Sequence, residues 1–160
     1  MRATLVLAVL TISLGGCIFQ NLSASRAITD QVYAFNDEIR WARIDLATER
    51  VEPDYRAEFV LAHRLWGHDI QIADADMTHV QIAEDNESAT SLVTFAWYDE
   101  RTMRLHNTVV QQRWAKSGDS FLLEAEEIVG GDDTLFAPPP EVEPEVEVED
   151  ATAAAGRTRG

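Results

Sequence analysis

The chain has 160 residues, with 28 acidic and 13 basic side chains and a net charge of −15. That length is room for one ordinary domain. The acidity excludes sequence-independent binding to nucleic acid, and one cysteine excludes an intramolecular disulfide or a Cys-rich zinc site.

The chain opens with Met1-Arg2, followed by the uncharged run ATLVLAVLTISL over residues 3–14. A positive start before a dozen mostly apolar residues has the form of a secretory signal segment. It is short for a membrane span, which needs about 20 residues. The run closes in Leu14-Gly15-Gly16-Cys17. These four residues resemble the lipobox of bacterial lipoprotein signal peptides. The resemblance implies cleavage between Gly16 and Cys17, acylation of the Cys17 thiol, and loss of residues 1–16. Several acyl chains on one residue anchor firmly, since each buried CH₂ contributes roughly 0.8 kcal/mol. Ile18, and not Asp, follows Cys17, which resembles an outer-membrane sorting signal. The implied location is the cell envelope, at the periplasmic face of the outer membrane.

Residues 17–22 form a short tether. Ile18 to Leu22 reach at most about 17 Å, so the domain sits close to the bilayer. With Arg2 and the C-terminal tail set aside, the remainder still carries a net charge of about −12. Anionic headgroups repel such a domain. Lipid tethering is therefore expected, and docking through a basic patch is not.

The domain is expected over residues 23–136. Ile28, Val32, Phe35, Ile39, Ala42 and Leu46 recur in steps of 4 and 3, which predicts one long helix from about Ser25 to Glu49. Pro53 forbids its continuation. A second helix is predicted over Asp54–Trp66, with Asp54 as cap and Gly67 as stop. The period then changes to two. Ile70 and Ile72 begin one strand segment, and Thr78, Val80 and Ile82 another. Thr90–Tyr98 is a strand with Val93, Phe95 and Trp97 on its core face. Thr102–Trp114 is a further strand, read with Arg104, His106, Thr108, Val110 and Gln112 facing outward. The turn at Lys116-Ser117-Gly118-Asp119 leads to a last strand, with Phe121, Leu123, Ala125 and Val129 on one face. Helices followed by strands joined through short polar turns predict an α+β domain, with N-terminal helices packed on an antiparallel meander. The tail over residues 137–160 is low in complexity. It combines Pro138-Pro139-Pro140 with alternating Glu and Val, and reads as a disordered acidic segment.

The opening helix, the helix ending Arg64-Leu65-Trp66, and the strands TSLVTFAWYDE and RTMRLHNTVVQQRWAKSGDSFLLEAEEIV together resemble the NTF2-like, or SnoaL-like, superfamily. The resemblance covers about residues 25–130 and implies helices packed into a bent antiparallel sheet. It implies no particular activity, because that superfamily holds both enzymes and non-enzymatic domains.

No catalytic set is legible. Tyr33, Trp41, Asp45, Trp97 and Tyr98 are the candidate pocket residues, with Trp41 at the mouth because it lies off the helical stripe. Asp37, Asp45 and Glu49 also fit a solvated helix face. His63 and His68 are five apart across a helix end, which is poor ligand spacing. His79 and His106 lie on strands, where the two could face each other. A zinc site would have to combine His with carboxylate, and neither metal nor cofactor is expected. The reading that follows is a lipid-anchored, non-enzymatic binding or interaction module of the cell envelope. Its partners would be the membrane through Cys17 and an envelope protein or small apolar ligand. The alternatives are a small-molecule isomerase or hydratase, and a homodimeric subunit that assembles through the sheet.

Overall fold

The computed structural model describes residues 25–136. The expectations at Gly16 and Cys17, the tether over 17–22 and the tail over 137–160 lie outside these residues. Within them three helices pack on a four-stranded antiparallel sheet: α1 over residues 25–40, α2 over Ile44–Glu49, α3 over Arg56–Ala62, β1 over Ile70–Ile82, β2 over Ser88–Asp99, β3 over Leu105–Ser117 and β4 over Ser120–Gly131. The strand order β1-β2-β3-β4 is the expected meander.

The helical stripe holds from Ile28 through Val32 and Phe35 to Ile39, all fully buried. It then resets. Ala42 takes a left-handed φ of 54°, its N–H donates to the Ile39 carbonyl, and the Arg43 N–H donates to the Glu38 carbonyl. That pair of bonds is a Schellman helix end with Ala42 in the place usually taken by glycine. Ala42 and Leu46 are consequently exposed, and Ala47 and Val51 reach the core instead. The single long helix expected from the period is therefore two. The second predicted helix is also shorter than expected. Tyr55, and not Asp54, precedes α3, and its last turn is opened over residues 63–65.

Gly67 has φ +78°, and a Cβ built there would lie 2.6 Å from the Ala42 Cβ. The α1 terminus thus rests against the turn that launches β1, a contact only glycine admits.

Side-chain parity across the sheet is reset by bulges. The β1–β2 register slips at Ala73 and Thr78, so Ile72, then Ala75 and Met77, then Val80 and Ile82 face the core. The two segments read before and after the change of phase are one strand. In β4 the register slips at Glu124 and Val129. Phe121 and Leu123 point inward as expected, but the inward positions beyond them are Glu126 and Ile128. Val129, expected on that face, is exposed. In β3 the core face is His106, Thr108, Val110, Gln112 and Trp114, opposite Trp97, Phe95, Val93, Ser91 and Ala89 of β2. This overturns the outward assignment of the same residues: a polar-rich stripe reads as solvent-facing, yet its polar groups are satisfied inside. The open face shows Leu105, Asn107, Val109, Gln111 and Arg113. At the centre of the core Phe35 meets Trp114 edge-on at 5.4 Å and Phe59 at 5.8 Å.

Candidate functional site

A cleft of about 350 Å³ opens at the end of the sheet where β2 finishes and β3 begins. Leu65, Ile70 and Trp97 form its apolar side, and Arg104, His106 and Thr134 contribute polar groups. Each is placed by the fold. The direct pairing of Trp97 with His106 in the β2–β3 register stacks the two rings at 4.5 Å and 16°. The Trp97 indole N–H donates to Thr108 Oγ1 (3.0 Å), and that hydroxyl donates to the Asp132 carbonyl (2.6 Å). Gly131 at φ +82° passes so close to Asn107 that a Cβ would sit 2.2 Å from the Asn107 carbonyl oxygen. This close passage turns the chain back and brings Asp132 against His106.

His106 Nδ1 lies 2.6 Å from Asp132 Oδ2. Asp132 is held down to about 2, first by the Thr134 hydroxyl and N–H and then by His106, so it is a carboxylate at neutral pH. A carboxylate only accepts, so Nδ1 carries the proton and Nε2 is the ring nitrogen left to face a ligand. The arrangement fixes the tautomer and orientation of the imidazole. That is what a histidine needs in order to accept a ligand hydrogen bond or to move a proton. Asp99, also at the cleft, is lowered by the Thr102 N–H and by Arg101.

A second polar assembly lies inside the core. Glu126, turned inward by the bulge at Glu124, and His63, in the turn after α3, are both fully buried, with Nε2 and Oε2 3.2 Å apart. His63 Nδ1 is 2.8 Å from the Phe59 carbonyl and donates to it, which leaves the Nε2 lone pair facing Glu126. Burial pushes Glu126 up to about 7 and His63 down to about 4. Both directions favour a protonated carboxyl beside a neutral imidazole. Gln112 donates to Glu126 Oε1 (3.0 Å) and to Asn36 Oδ1 (3.0 Å). Its own carbonyl accepts from Asn36 (3.0 Å) and from the Ser91 hydroxyl (3.0 Å), which in turn accepts from Trp114 Nε1 (2.9 Å). Phe59, Trp66 and Phe136 enclose the His63 ring at 4.1, 4.3 and 5.1 Å. The network joins α1, the α3 turn and three strands.

The five residues read from sequence as a pocket are dispersed. Trp97 lines the cleft. Tyr33 (59% exposed) and Trp41 (64%) stand on the outside of the helical layer, Asp45 is exposed on α2, and Tyr98 faces the opposite side of the sheet from Trp97. Trp41 is not a cavity mouth, because it continues the outward line of Tyr33 and Asp37 on α1. Asp37, Asp45 and Glu49 are exposed, as a solvated face requires. His79 pairs with Leu92 and His106 with Trp97, at different levels and on strands separated by β2, so the two histidines do not meet. Among the described residues no group of three or more His, Cys, Asp or Glu is arranged to hold a metal ion.

Sequence reasoning missed Asp132, Thr134, Glu126 and Gln112. Gly131-Asp132-Asp133-Thr134 carries a turn signal, since an Asp two residues before a Thr commonly accepts its N–H. The contact with His106 is long-range and has no local signature. Comparison of the chain with protein-family models, with curated proteins and with solved structures returned no match.

Proposed function

We propose that this chain is a lipid-anchored binding module of the bacterial cell envelope, taking a small ligand with an apolar body and a polar end in the cleft at Trp97 and His106. The observation that carries the reading is the composition of that cleft: Leu65, Ile70 and Trp97 on one side, with an oriented imidazole, Arg104 and Thr134 beside them. Pockets that hold small molecules combine an apolar wall with a few convergent polar groups. The anchor rests on the lipobox-like Leu14-Gly15-Gly16-Cys17, and the NTF2-like assignment on helices packed over an antiparallel meander. Native mass spectrometry of the chain purified from bacterial membranes tests the reading. A retained small-molecule mass is expected, and its loss in Leu65→Trp, which fills the apolar side, would assign it to this cleft. A bare wild-type chain would count against ligand binding.

The His106–Asp132 pair favours a second reading, an acid–base enzyme acting on the same ligand. His106→Asn separates the two. A binding module would lose affinity with the imidazole and show no turnover in either form. An enzyme would lose turnover in the variant while still binding.

A further inference from the structure

The described domain is acidic, yet one surface of it is not. The exposed positions along α1 and its terminus include Arg26, Asp30, Tyr33, Asp37, Arg40, Trp41 and Arg43. Arg40 pairs with Asp74 at 3.1 Å and Arg43 with Asp37 at 2.9 Å. Three guanidiniums (Arg26, Arg40, Arg43) therefore balance three carboxylates (Asp30, Asp37, Asp74), and this strip is close to neutral. Its two aromatic side chains are largely exposed. Trp41 is also held in place: its indole N–H donates to Asp37 Oδ1 at 3.1 Å, and the Arg40 guanidinium lies 5.7 Å from its ring centre. Exposing a tryptophan and fixing its orientation serves no purpose in packing this domain.

We infer that the outer face of α1 lies on the membrane surface, with Tyr33 and Trp41 seated at the level of the lipid headgroups. The inference rests on the proposed anchor at Cys17. Seven residues stand between Cys17 and Ser25, and the eight Cα steps reach at most about 28 Å, so the helix cannot move far from the bilayer. Tryptophan and tyrosine favour the membrane–water interface, where the ring is buried and the polar tip stays wet. A charge-balanced strip avoids the repulsion that the rest of the domain meets at anionic headgroups. Docking through this strip needs no basic patch.

The molecule carries its own reporter. Of its four tryptophans, Trp66, Trp97 and Trp114 are at most 3% exposed, so a neutral quencher such as acrylamide reaches Trp41 almost alone. The full chain, produced with its leader and purified from bacterial membranes, is reconstituted into phosphatidylcholine vesicles with brominated acyl chains and floated on a gradient. The expected result is that the vesicle-bound protein loses the Trp41 emission to bromine and loses acrylamide access to it. Trp41→Phe should abolish the bromine-sensitive component. Tyr33→Glu, at an exposed position, should return Trp41 to acrylamide. Protein that floats with the vesicles while Trp41 stays bright and open to acrylamide would overturn the docking and leave the anchor standing. Protein that does not float would overturn both.

Discussion

Glu126 and His63 are each strongly perturbed by burial, in senses that offset one another. Folded, the pair holds a single proton between about pH 4 and about pH 7, because burial lowers the imidazole to the first value and raises the carboxyl to the second. Unfolded, with ordinary values of 4.5 and 6.5, the two groups also hold one proton between those limits. Stability changes with pH only where the folded and unfolded states bind different numbers of protons. The pair's contribution is therefore flat from about 4.5 to 6.5. It falls as pH rises through 7, where the folded state still holds a proton the unfolded state has released, and it falls as pH drops through 4. Single substitutions remove the cancellation in opposite directions. Glu126→Gln leaves a buried imidazole whose lowered value costs stability as pH falls from 6.5 to 4. His63→Phe leaves a buried carboxyl whose raised value costs stability as pH rises from 4.5 to 7. Each loss should be about 3 kcal/mol across its window, from the size of the shift. Urea titrations at half-unit pH steps measure this. Two profiles sloping the same way would show that burial does not shift the two groups in opposite senses.

At the scale of the elements, the same pair explains what the sequence could and could not convey. The order of helices and strands, the antiparallel meander and the core faces of α1 and β2 follow from periods of 3.6 and 2, and Ile28, Phe35, Val93 and Trp97 lie where those periods put them. Phase, however, is interrupted at points with no local signature. Ala73, Thr78, Glu124 and Val129 are bulge positions, and each moves the next inward residue by one. Because of Glu124, an acidic residue enters the core where alternation puts Ala125. The helix break is hidden for a similar reason: the left-handed cap is Ala42, not a glycine. Of the candidate site only Trp97 was legible, because its partners come from a strand pairing and from Asp132, 26 residues beyond His106. What holds the break in place is Gly67, and a test follows. In Gly67→Ala the new Cβ meets Ala42 at 2.6 Å and the backbone keeps a φ of +78°. Loss of about 1–3 kcal/mol is expected from strain of that kind. A urea midpoint within error of wild type would mean that α1 does not depend on this contact.

For the molecule as a whole, the proposed anchor raises the question of what would keep an acidic domain at a membrane. None of the described helices is long and apolar enough to cross one. The chain carries −15 overall and spreads its 13 basic residues among 28 acidic ones, so a surface potential alone would not retain it. On the proposed reading the attachment is covalent and lies at one atom, the Cys17 sulfur, while the α1 face sets only the orientation. These two contributions differ in strength. Aromatic seating is reversible, whereas two or more acyl chains give stable anchoring. Cys17→Ser therefore has a definite outcome. Intact-mass measurement of the wild-type chain from membranes should show residues 1–16 absent and acyl chains added. An alkyne-tagged fatty acid supplied in growth should label the wild type and not the variant. A wild-type mass lacking residues 1–16 but carrying no acyl group would mean ordinary secretion. The neutral aromatic strip on α1 would then need a partner other than the lipid surface.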